Sequence, residues 1–159
     1  MSEQTEALHQ HLTTSRTILL DCLTRLTEEQ WQTTIFSDGS QWTAADILRH
    51  LVDAQRGMTA QIAQIQAGGS GVPEDFDLAR WNARGVRKAQ EKTAGELIGE
   101  LEEGQTNLFM LLETIQEDDW LKKGRHGSGR ILTIAEIFTI IATHEADHAR
   151  DIRQTLNLN

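Results

Sequence analysis

The chain has 159 residues and carries 15 Lys and Arg against 24 Asp and Glu, a formal net charge of −9. That length fits one domain, residues 1–159, with a core large enough to do without disulfides. No basic stripe able to neutralise phosphates appears in the sequence, so nucleic acid is not the expected partner.

The densest cationic stretch, Lys122-Lys123-Gly124-Arg125-His126, is short, and its default reading is exposed loop charge. The single cysteine, Cys22, cannot form an intramolecular disulfide and points to a reducing compartment. No window offers the roughly 20 apolar residues of a membrane span, and the N-terminus MSEQTEALHQH is too polar for a signal peptide. The expectation is a cytoplasmic protein with no membrane association.

One proline and no tyrosine favour long helices over strands. Leu8, His11, Leu12, Ile18, Leu19, Cys22 and Leu26 predict a first helix over 3–26. Ser37-Asp38-Gly39-Ser40 predicts a loop. Thr43 is a good N-cap, with Asp46 three residues on. From there Ala44, Ile47, Leu51, Ala54, Met58, Ile62 and Ile65 run down one face until Gly68-Gly69-Ser70-Gly71 ends the helix. Residues 76–90 predict a shorter, more polar helix containing Trp81 and Asn82.

Thr93-Ala94-Gly95-Glu96 opens a third long helix, which runs to about Ile115. The glycine-rich segment 122–130 predicts another loop. Thr133, with Glu136 three residues later, opens the last helix, and this start resembles the one at 42–47. The pattern gives an all-α fold: a four-helix bundle with an additional short helix.

His144-Glu145-Ala146-Asp147-His148 lies near the end of the last helix. Ile134, Ile137 and Ile141 step by three and four, and His144, His148 and Ile152 continue the series. Both histidines therefore fall on the stripe that faces the core. Imidazoles there are costly unless hydrogen-bonded, neutral or bound to a cation. His50 borders the core stripe of the second long helix, which makes it a better third ligand than His9, His11 or His126. Three neutral imidazoles from two helices leave coordination positions open, as catalytic sites do. Nitrogen donors alone do not choose among Zn, Ni and Fe.

The string His144-Glu145-x-x-His148 also matches the zinc-protease pattern, in which Glu145 would be the general base on water. Such enzymes take a third ligand downstream, and the residues after His148 contain no His or Glu. Glu145 is retained as a candidate base beside the reading that it only supports the site. A di-iron site is excluded, because the second Glu-x-x-His is missing at His50, where Ile47 stands three residues earlier. Cys22 reads as a small buried apolar residue.

Trp42-Thr43-Ala44-Ala45-Asp46-Ile47-Leu48-Arg49-His50, Trp81-Asn82 and Thr133 through His144 and His148 together resemble the DinB-like superfamily of metal-binding four-helix bundles. The resemblance implies one ligand on the second long helix, His50, and two on the last, His144 and His148. It further implies a metal-dependent enzyme using a low-molecular-weight thiol, as S-transferases and mycothiol-dependent maleylpyruvate isomerase do, a small-molecule substrate and a homodimer. Two alternatives stay open: a metallohydrolase with Glu145 as base, and a non-catalytic metal-binding bundle acting in stress response.

Overall fold

The computed structural model describes residues 2–159. Its long helices are α1 (Glu3–Leu23), α3 (Ala44–Gln66), α5 (Ala94–Thr114) and α6 (Ile134–Leu156). Two short helices, α2 (Glu28–Trp31) and α4 (Leu78–Lys88), lie in the connections. The helix starts follow the threonines: the hydroxyls of Thr43, Thr93 and Thr133 accept from the backbone N–H of Asp46, Glu96 and Glu136. Of these three, Thr133 alone completes a reciprocal capping box; Thr93 and Thr43 make one half of it. Among the described residues no helix is long and apolar enough to cross a membrane.

Both expected loops turn out to contain hairpins. Thr34–Ser37 (β1) pairs antiparallel with Ser40–Thr43 (β2), and Lys123–Arg125 (β3) pairs with Ile131–Thr133 (β4). The first turns at Asp38 and Gly39, with φ of 52° and 77°, the two positive dihedrals of a type I′ connection. Each hairpin delivers its last strand into the threonine that caps a helix bearing site histidines. The local likeness between residues 42–47 and 132–137 therefore extends to a hairpin, a cap and a helix in each case.

The packing order follows from the contacts. Helix α1 packs on α6 and α5, and α3 packs on α5 and α6, so α1 faces α3 across one diagonal and α5 faces α6 across the other. Arg16 meets Glu145 and Arg25 meets Asn159, so α1 and α6 run parallel. Gln66 donates to Thr114 while Arg56 pairs with Glu100, so α3 and α5 also run parallel. Arg16 and Gln105 bond Leu101 and Leu12, which makes α1 and α5 antiparallel. Two adjacent parallel helices need a long return, and residues 67–93 with α4 supply it.

The core has two apolar halves. One gathers Leu8, Leu12, Ile62, Leu108, Leu112, Ile137 and Phe138. The other gathers Leu19, Leu23, Ile47, Leu51, Leu97, Leu101 and Ile152. Between them lies a polar waist of Ser15, Arg16, His50, Gln55, Glu145 and His148, all buried. Buried polar groups at a shared level in three helices demand partners, and those partners define the site.

Candidate metal centre

His50 comes from α3, and His144 and His148 come from one face of α6. The Nε2 atoms of His50 and His144 are 3.0 Å apart, and those of His148 and His144 are 3.1 Å apart. All three rings can present one donor atom within 4.8 Å of the others. A metal–nitrogen bond of about 2.0–2.1 Å places neighbouring donors about 3–3.4 Å apart. The two sides that meet at His144 have that length, and the all-imidazole donor set suits a divalent transition metal.

Hydrogen bonding fixes one of the three tautomers. The Ser37 hydroxyl donates to Asp151 Oδ2 at 2.7 Å. Its remaining lone pair faces His148 Nδ1 at 2.6 Å, so Nδ1 carries the proton and donates. Nε2 of His148 is then a bare lone pair aimed at the triangle. His50 Nδ1 is buried with no protein partner among the described residues. The indole of Trp42 backs the His50 ring, with centroids 4.8 Å apart. Trp42 is therefore a wall of the site as well as part of the helix entry.

Burial keeps the rings neutral. It pushes His50 down to about 2, assisted by the neighbouring charges of His144 and His148. Burial also lowers His144 to about 4, with His148 adding to the shift and Asp38 and Asp147 opposing it. His148 likewise falls to about 4 through burial, against the pull of Asp151. Neutral imidazole is the form that ligates, so the pocket preselects it. His144 is half-buried, whereas His50 and His148 are 3% and 1% exposed, so the His144 side is the least enclosed edge of the triangle.

Glu145 is placed differently from a base on bound water. Its side chain leaves the histidine face and forms a buried two-pronged pair with Arg16: Nε to Oε1 at 2.8 Å and Nη2 to Oε2 at 3.0 Å. Both carboxylate oxygens are occupied, so the residue holds the waist together. His9 stacks on Phe109, and His126 sits against Met58, so neither joins the trio. Cys22 is a free, buried thiol in the apolar half around Leu19.

Ser37 and Arg16 had no local signal to reveal them. Their partners lie 111 and 129 positions away. The Asp38-Gly39 turn that carries Ser37 into the site was the one usable hint.

Residues 11–152 match the DinB superfamily. The chain belongs to the DinB superfamily. No curated protein sequence matches it. Solved structures agree on the fold at low identity. YfiT from Bacillus subtilis, described as a probable metal-dependent hydrolase with an unusual four-helix bundle topology, is 16% identical with a TM-score of 0.79, covering 100% of this chain and 91% of that one.

The mycothiol-dependent maleylpyruvate isomerase is 16% identical with a TM-score of 0.74 over 91% of this chain. This DinB chain spans only 60% of the isomerase's length. The colibactin self-resistance protein ClbS, solved with a double-stranded DNA, is 15% identical with a TM-score of 0.77, covering 98% of this chain and 96% of that one. At these identities the likeness concerns the fold, and the DinB histidine triangle must be judged on its own geometry.

Proposed function

We propose that this DinB protein is a metal-dependent enzyme in which His50, His144 and His148 hold one divalent ion, Zn, Ni or Fe, and a low-molecular-weight thiol attacks a small electrophilic substrate. The observation that carries the reading is the convergence of three neutral imidazoles, of which one, His144, is less buried than the other two. A bound cation would supply the positive charge that stabilises a thiolate at neutral pH.

The chain's own residues do the rest. Ser37 and Asp151 hold His148 in the ligating tautomer. Trp42 limits the rotation of His50. The turn bearing Asp38 stands on the rim, close enough for its charge to act on His144. The formal charge of −9 favours a small-molecule substrate over nucleic acid.

A hydrolase with Glu145 as base is the weaker reading, because Arg16 occupies that carboxylate. Pairing into a homodimer is part of the proposal but is not needed to complete the triangle.

The test is to incubate metal-loaded protein with a chlorinated or epoxide electrophile and, in turn, mycothiol, bacillithiol and glutathione. Thiol-dependent turnover above the His50→Ala background supports the reading. Turnover without thiol points to the hydrolase. Metal binding with neither activity points to a non-catalytic bundle.

A further inference from the structure

The buried waist beside the histidines draws one group from each long helix. Arg16 comes from α1, Gln55 from α3, the Leu101 carbonyl from α5 and Glu145 from α6. Arg16 spends Nε and Nη2 on Glu145 and donates Nη1 to Leu101 O at 3.0 Å. With its carboxamide oriented to suit its neighbours, Gln55 accepts from Arg16 Nη2 at 2.9 Å and donates to Leu101 O at 3.1 Å. Arg16, Gln55 and Glu145 are 3%, 3% and 4% exposed. Gly104 makes room for this: a Cβ there would lie 2.4 Å from a terminal carboxamide atom of Gln55.

Stability alone does not account for such a cluster. A buried ion pair repays its desolvation poorly, and an apolar pair of similar volume serves about as well. Directionality is what the polar cluster adds. A leucine on α6 packs acceptably over a range of helix rotations, whereas a fork-to-carboxylate pair closes at one. Glu145 lies between His144 and His148 on α6, and Gln55 lies little more than one turn beyond His50 on α3.

We infer that Arg16, Gln55 and Glu145 are positioning residues that lock the rotation of α3 and α6, so that the ligating nitrogens converge before any ion arrives. The inference rests on the metal-centre reading above. It adds that the triangle is preorganised by a cluster that never touches the ion. The Arg16–Glu145 pair sets α6, and Gln55 ties α3 to the same arginine.

The test compares wild type with the paired apolar variant Arg16→Met/Glu145→Leu, which avoids stranding a buried charge. The readouts are thermal melting, zinc affinity by competition with a chromophoric chelator, and a crystal structure of the metal-free variant. The paired variant is expected to melt near the wild-type temperature, to bind zinc at least about tenfold more weakly, and to show the Nε2 separations widened from 3.0 and 3.1 Å.

Gln55→Met, which leaves the ion pair intact, is expected to lose affinity by a smaller factor, and it stands in should the paired variant fail to fold. A folded variant that binds zinc like wild type and keeps the triangle overturns the inference while leaving the metal centre standing. Wild type that binds none of zinc, nickel or iron overturns the metal-centre reading. The metal-free crystal structure still judges the clamp, since an unchanged triangle in the variant counts against it.

Discussion

The Ser37 hydroxyl lies 2.6 Å from His148 Nδ1 and 2.7 Å from Asp151 Oδ2, so a hairpin residue decides which face of a helix histidine carries a lone pair. The relay is buried on the Ser37 and His148 sides. Supporting partners of this kind are worth about 10–100-fold in metal affinity.

Ser37→Ala is therefore expected to weaken zinc binding by about 10–100-fold with little change in melting temperature. Competition titration against a chelator checks it. Unchanged affinity would mean that His148 needs no help in choosing its tautomer.

Glu145→Gln tests the buried pair. Removing one partner leaves the Arg16 charge uncompensated, and a loss of about 3–5 kcal/mol in unfolding free energy is expected. Urea denaturation measures it. Wild-type stability combined with abolished turnover would instead make Glu145 the catalytic base.

Acid should destabilise the metal-free protein through its histidines. Burial lowers His50 to about 2 and His144 and His148 to about 4. In the unfolded chain these rings take up protons near the ordinary value of 6.5. Between about pH 6.5 and 4 the unfolded state therefore binds more protons, and stability falls as pH falls. Above that window the contribution is fully present. Melting temperature against pH in the presence of a chelator should show this acid limb, reduced in a variant with His144 and His148 replaced by leucine. Identical profiles would contradict the assignment of neutral, buried rings.

Two glycines should respond in opposite senses. Gly71 has φ of +88°, and a Cβ there would lie 2.3 Å from the Arg125 backbone, where the segment after α3 meets β3. Gly71→Ala is expected to cost about 1–3 kcal/mol or more. Gly99 lies inside α5 with open space around its Cβ position. Gly99→Ala is expected to gain about 0.5–1 kcal/mol. Chemical denaturation of both variants checks the pair, and a shared sign would contradict the local geometry.

The helices and the inward placement of the histidine trio were legible in the sequence because both rest on local rules. Threonine caps start α3, α5 and α6, and the three-and-four spacing from Ile134 to Ile152 puts His144 and His148 on the inner stripe. The hairpins were not read as strands. Three or four residues are too few for an alternation signal to outweigh turn chemistry, although Asp38-Gly39 is itself a hairpin turn. Arg16 carries no signal within α1, and Glu145 reads in sequence as the candidate base of a zinc-protease pattern. Only the parallel packing of α1 against α6 brings them together, and no pattern within either helix encodes it.

The most direct measurement is the metal content of protein purified without a histidine tag and equilibrated with a divalent ion, beside His50→Ala and His148→Ala prepared identically. About one ion per chain is expected in wild type, with loss of that ion in both variants. Wild type that retains none, or variants that keep theirs, would contradict the metal-centre reading.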